Sequence, residues 1–105
     1  MFVAAYWWKV HPGKEEQIRA AWRRGTELIR AKYGSHGSRL HWDAESARFI
    51  GVAEWPDRAT WQRAYDAKMV YDEPATRAAF LDAVREAADE PLLLMEVTDS
   101  LLERG

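Results

Sequence analysis

The chain has 105 residues, a length that suits one core and leaves no room for two. Its 15 basic and 17 acidic side chains nearly cancel to a net charge of -2 with the signs interspersed, which argues against a nucleic-acid partner. Cysteine is absent, which excludes disulfides, thiolate metal sites and a thiol nucleophile. No window approaches the roughly 20 apolar residues of a membrane span, and the first residues read as a strand rather than a signal peptide, so a cytoplasmic protein with no membrane partner is expected.

In chain order, Met1 to Val10 is rich in β-branched and aromatic residues and stops at His11-Pro12-Gly13, which marks a first strand. From Lys14 the period changes: Ile18, Ala21, Trp22, Gly25, Ile29 and Tyr33 recur at helical spacing, with Glu15 and Glu16 in the first turn and Gly34 as a stop. Ser35 to Asp43 and Arg48 to Trp55 read as two strands joined by a tight connection, and Pro56 closes the second. Asp57 is placed to cap a second helix carrying Trp61, Ala64, Tyr65 and Lys68. After Tyr71-Asp72-Glu73-Pro74 a third helical segment carries Ala79, Phe80, Val84 and Ala87, and Pro91 opens a last strand, Leu92 to Thr98.

The order is βαββαβ with the second helix in two pieces. With right-handed crossovers this predicts an α+β, ferredoxin-like domain over residues 1–105: a four-stranded antiparallel sheet with the helices on one face. The period-two rule then exposes a difficulty. The first strand places Phe2, Ala4, Tyr6, Trp8 and Val10 on one side and Val3, Ala5 and Trp7 on the other, and the third and last strands are likewise apolar on both sides. A helix-free face of that kind exceeds the apolar patch a soluble monomer usually tolerates, so a homodimer through the sheet face is expected. The alternatives are that one of these strands is helical or that the Leu101-Leu102 segment folds over the open face.

Six Trp, four Tyr and three Phe must line a core, a pocket or an interface. Tyr6 and Trp8 share a strand face and make either a plain aromatic core or, with Trp55, Trp61, Tyr65 and Tyr71, a ring-lined pocket suited to a flat aromatic ligand. His41 is the candidate general base, since an imidazole titrates near working pH, against the alternative of a solvated or interface-edge histidine with no carboxylate spaced to orient it. His36 falls on the opposite face of that strand and His11 lies in a turn, so the three histidines make no metal site. Glu54 and Glu96 stand in otherwise apolar strands, either as pocket acids or paired across a dimer interface with Arg39 or Arg48, which would offset the cost of burying a charge.

Three stretches carry a resemblance: Trp8-Lys9-Val10-His11-Pro12-Gly13-Lys14-Glu15, then Tyr33-Gly34-Ser35-His36-Gly37-Ser38-Arg39-Leu40-His41, then Glu54-Trp55-Pro56-Asp57-Arg58-Ala59-Thr60-Trp61. Together they resemble the antibiotic biosynthesis monooxygenase family over nearly the whole chain. The resemblance implies a dimeric α+β barrel with a pocket between sheet and helices in each subunit. It also implies a cofactor-independent monooxygenase, needing neither metal nor flavin, that acts on an aromatic or polyketide-like molecule. A catalytic set of Tyr6, His41 and Trp55, with Trp8, Trp61, Tyr65 and Tyr71 binding substrate, follows from that reading.

Trp55 matches the tryptophan that ends the third strand in polyketide-oxidising members. Gly51 stands where those enzymes have an asparagine and Trp61 where they have a tyrosine, and the missing amide favours the alternative of a non-catalytic, ligand-binding or stress-related barrel. Haem-degrading members use an asparagine, a tryptophan and a histidine, against Tyr6, Ala64 and no histidine beyond His41 here, so haem degradation is not implied.

Overall fold

The computed structural model describes residues 1–103. Its central strand is β1 (Phe2–Val10), which pairs antiparallel with β3 (Arg48–Trp55), from Phe2 opposite Trp55 to Trp8 opposite Phe49. On the far side of β3 lies β2 (Gly37–Asp43), the free edge of the sheet. Helix α1 (Glu15–Tyr33) connects β1 to β2 and ends as expected at Gly34, a left-handed cap whose N–H reaches the Arg30 carbonyl. Helix α2 (Arg58–Asp66) starts at Asp57, whose carboxylate accepts from the Thr60 N–H at 2.7 Å.

The sequence reading and the structure part company after α3 (Pro74–Ala83). The predicted third helix runs on through Val84 and Ala87, yet it ends at Ala83, and Val84–Ala87 forms β4 on the free edge of β1. Val84 is already extended, and the His11 N–H takes the Ala83 carbonyl, so strand pairing captures the β-branched residue that a helical pattern would also have accepted. The predicted last strand, Leu92 to Thr98, contracts to β5 (Leu93–Glu96) on the same edge of β1. Among the described residues the sheet therefore has five strands rather than four, with β4 and β5 sharing one edge. Between them, residues 88–91 are out of the ladder, Pro91 having no N–H to give it, and the Leu92 N–H rejoins it at the Ala5 carbonyl, 2.7 Å away.

Helices α1, α2 and α3 pack on the sheet face that carries Phe2, Ala4, Tyr6 and Trp8. Under α2 the space is filled by Phe2, Ala4, Trp55, Trp61 and Ala64; a second cluster of Ile18, Phe49 and Ala83 sits under the junction of α1 and α3. Ties across the helix layer are polar: the Lys14 ammonium lies 2.7 Å from Asp82, Gln17 donates to the Ala79 carbonyl at 2.8 Å, and Arg24 meets Glu73 at 2.9 Å. Among the described residues the opposite face carries no helix. On it Leu93 and Met95 are 50% and 41% exposed beside half-buried Val3, Trp7, Ile50 and Val52. Charge closes one end of that face, where Lys9 and Arg48 flank the Trp7 ring at 6.0 and 5.3 Å and approach Glu86 and Asp43.

Candidate active site

Between the two packed clusters the helices stand away from the sheet and leave a cavity of about 720 Å³. That lies within the roughly 300–1,000 Å³ usual for small-molecule sites. The floor is Tyr6, Trp8, Ala53 and Trp55; α1 supplies Trp22, Gly25 and Ile29; Tyr65 and Tyr71 close the side toward α2 and α3. Gly25 lets Tyr71 pack close against α1, since a Cβ at that position would stand 3.0 Å from the Tyr71 hydroxyl and push it back by a few tenths of an ångström. At the exit of α2, Lys68 and Met69 both have left-handed backbones, held by the N–H of each bonding back to Tyr65 and Ala64. This kink turns both residues into the cavity wall.

Tyr6 is the best-defined polar group. Its hydroxyl accepts the Trp61 indole N–H at 2.7 Å, and the Trp61 ring is locked in turn between Phe2, 5.4 Å away, and Tyr65, 5.0 Å away. Burial pushes the Tyr6 phenol up to about 12, only partly opposed by the Trp61 hydrogen bond, with the nearby Tyr65 adding to the rise. Tyr6 thus stays protonated through the neutral range and retains its own O–H as a donor. Trp55 is 1% exposed, borders the cavity, and its indole N–H has no hydrogen-bond partner among the described residues. A buried donor left unpaired costs about 1–3 kcal/mol, which an acceptor on a ligand would offset.

Of the predicted site residues, Tyr6, Trp8, Trp55, Tyr65 and Tyr71 therefore converge on one cavity. Trp61 does not border it and serves as the buried support of Tyr6, at 2% exposure. His41 is not brought to the others: it lies on edge strand β2 with its Nδ1 3.2 Å from the Ile50 carbonyl, and it borders a separate outer cleft between α1 and β2. The rim carries Asp66, Lys68, Arg77 and Asp89. Asp89 was invisible to strand periodicity because it sits in the break between β4 and β5. Among the described residues no cluster of three or more His, Asp or Glu is placed to hold a metal ion.

Gly51 explains the missing asparagine in steric terms. A Cβ there would lie 2.9 Å from two ring atoms of Trp8, so the Trp8 indole occupies the space a side chain at 51 would need. Trp22, on α1, approaches the same point, with its indole nitrogen 3.6 Å from that position.

No protein-family model matches the chain, and no curated protein matches it. Solved structures do. The chain is similar to Rv0793 from Mycobacterium tuberculosis (14% identity, 96% of this chain and 98% of that one, TM-score 0.64). It is equally similar to SnoaB, a cofactor-independent oxygenase from Streptomyces nogalater (15% identity, 97% of both chains, TM-score 0.64). A protein described as an antibiotic biosynthesis monooxygenase matches at 17% identity over 94% of this chain and all of that one, with a TM-score of 0.63. The fold is theirs. This agrees with the resemblance carried by the sequence motifs, and at such identities the likeness is one of fold.

Proposed function

We propose that the cavity binds a flat, electron-rich aromatic molecule of the phenol or anthrone type and promotes its oxidation by dioxygen without a resident cofactor. The observation that carries this reading is Tyr6, a phenol held protonated by burial and aimed by Trp61, in a cavity otherwise walled by rings. A protonated donor in a site of low polarity stabilises an oxyanion far better than water does, which lowers the cost of converting the substrate to its enolate. This reading takes the buried, unpaired Trp55 N–H as the second donor and gives the departing proton to one of the carboxylates that border the cavity, Asp66 or Asp89. His41, outside this cavity, has no part in the step.

The chemistry closes without added reductant: a ring methylene and one dioxygen molecule give a ring carbonyl and one water. The enolate supplies the electrons, one oxygen atom enters the carbon that loses both hydrogens, and the other leaves with those hydrogens as water. The active unit would be a homodimer, with a second copy covering the face that carries Val3, Trp7, Ile50, Val52, Leu93 and Met95. A second reading, a ligand-binding barrel without turnover, is favoured by one observation: Trp8 fills the place of the asparagine donor at position 51.

Oxygen uptake and quinone absorbance with 1,8-dihydroxyanthrone separate the two. The oxygenase reading expects protein-dependent uptake that falls about 100- to 1,000-fold in Tyr6→Phe, the loss expected on removing one oxyanion donor. Tight anaerobic binding with no uptake leaves the ligand-binding barrel, and absence of both removes the aromatic ligand class.

A further inference from the structure

The cavity has a neighbour. A cleft of about 510 Å³ opens between the first half of α1 and edge strand β2, lined by Glu15, Arg19, Arg23, Leu40, Trp42 and Phe49. Trp22 borders both spaces. Both walls continue from one space into the other: along β2, Ser38 faces the cavity while Leu40 and Trp42 face the cleft, and along α1, Gly25 and Ile29 belong to the cavity while Arg19 and Arg23 belong to the cleft. The two spaces are thus segments of one groove between α1 and β2, and the Trp22 indole stands between them. Its ring reaches the floor at Gly51, next to the Trp8 ring that already crowds that glycine. Among the described residues it makes no hydrogen bond, so packing alone holds it there.

The far side is equipped differently. Trp42 is 57% exposed with its ring edge-on to Phe49 at 5.0 Å. Arg19 pairs with Glu16 of its own helix at 2.6 Å, whereas Arg23 makes no ion pair among the described residues. An apolar wall beside such a guanidinium suits an aromatic acid.

We propose that Trp22 is the specificity-determining residue of the site: it ends the cavity at the β2 side and so selects ring systems short enough to stop there. The inference rests on the reading that the cavity takes a flat aromatic ligand, and it adds a limit on that ligand's length. Removing the indole joins the two spaces, and a longer ligand bearing a terminal carboxylate then reaches Arg23.

The test is calorimetric binding without oxygen, using two probes: 1,8-dihydroxyanthrone and the same anthrone extended by a carboxyphenyl arm. The wild type is expected to prefer the short probe by about tenfold or more, and Trp22→Ala to abolish or reverse that preference. Arg23→Ala should leave the wild type's affinities unchanged and cost the Trp22→Ala protein several-fold for the armed probe only. Trp22→Phe, which keeps a ring on the helix, should shift the ratio partway and remains informative if Trp22→Ala melts early. An unchanged ratio of affinities in both Trp22 variants overturns the proposal, as does a wild type that binds both probes equally or neither. Because binding is read without oxygen, a failed oxidation leaves this result intact, and a failed partition leaves the oxidation intact.

Discussion

The two faces of the sheet are made from the same residue types and end up with opposite roles. On the helix side, Phe2, Ala4, Trp55 and Trp61 close a dense cluster, and the rings beyond them stop short of closing, which leaves a cavity with a phenol donor in its floor. On the other side Val3, Trp7, Leu93 and Met95 are equally apolar and meet no helix among the described residues. Hydrophobicity alone does not separate the two faces. What separates them is polar placement: the inner face pairs its buried hydroxyl with an indole, whereas the outer face carries charged side chains along its length, Lys9 and Arg48 in ion pairs at one end and Arg39 and Glu54 beside Val52 and Val3.

The inner face should break first. Trp61→Ala removes a ring packed on both Phe2 and Tyr65 and is expected to cost about 3–5 kcal/mol in denaturant unfolding, with the cavity's affinity for anthrone lost in the same variant. Met95→Asp addresses the outer face. If a second copy covers that face, the variant should sediment as a monomer at micromolar concentration and lose about 2 kcal/mol or more in a concentration-dependent way. If the face is bare, an aspartate there changes stability by no more than about 0.5 kcal/mol, and the dimer proposal falls.

This contrast between faces was legible in the sequence because strand alternation puts Tyr6 and Trp8 opposite Val3 and Trp7 whatever the details of pairing. The helix boundaries of α1 and α2 were legible for a similar reason, since Gly34 and Asp57 are local signals with local causes. The break between β4 and β5 was not. Val84 and Ala87 fit a helical stripe as well as a strand, and only pairing with the distant residues Trp8, Lys9 and Val10 decides between them. The same limit governed the site. Aromatic residues on the inner face could be named, whereas the separation of His41 from Tyr6 depends on register: His41 stands opposite Ile50 and so in line with Trp7 on the outer face, while Leu40 and Gly51 line up with Tyr6. That Trp61 supports Tyr6 rather than touching a ligand depends on one indole nitrogen, which no spacing rule resolves.

The smallest expected effect probes that nitrogen. Tyr6→Phe keeps the ring and deletes the acceptor of the Trp61 N–H, so it should cost about 1 kcal/mol near pH 7, toward the low end for a buried donor left unpaired. The loss should itself depend on pH. Burial raises the Tyr6 phenol from 10.0 to about 12, so the folded chain holds this proton more tightly than the unfolded chain does. The resulting stability is intact below about pH 10 and is lost as pH rises through the folded value. Denaturant midpoints measured at pH 7, 10 and 11 should therefore converge for wild type and Tyr6→Phe as the pH increases, because only the wild type has this proton to lose. A gap that stays constant to pH 11 would mean that Tyr6 is no better shielded than a surface tyrosine, and the inner face would then differ from the outer one in shape alone.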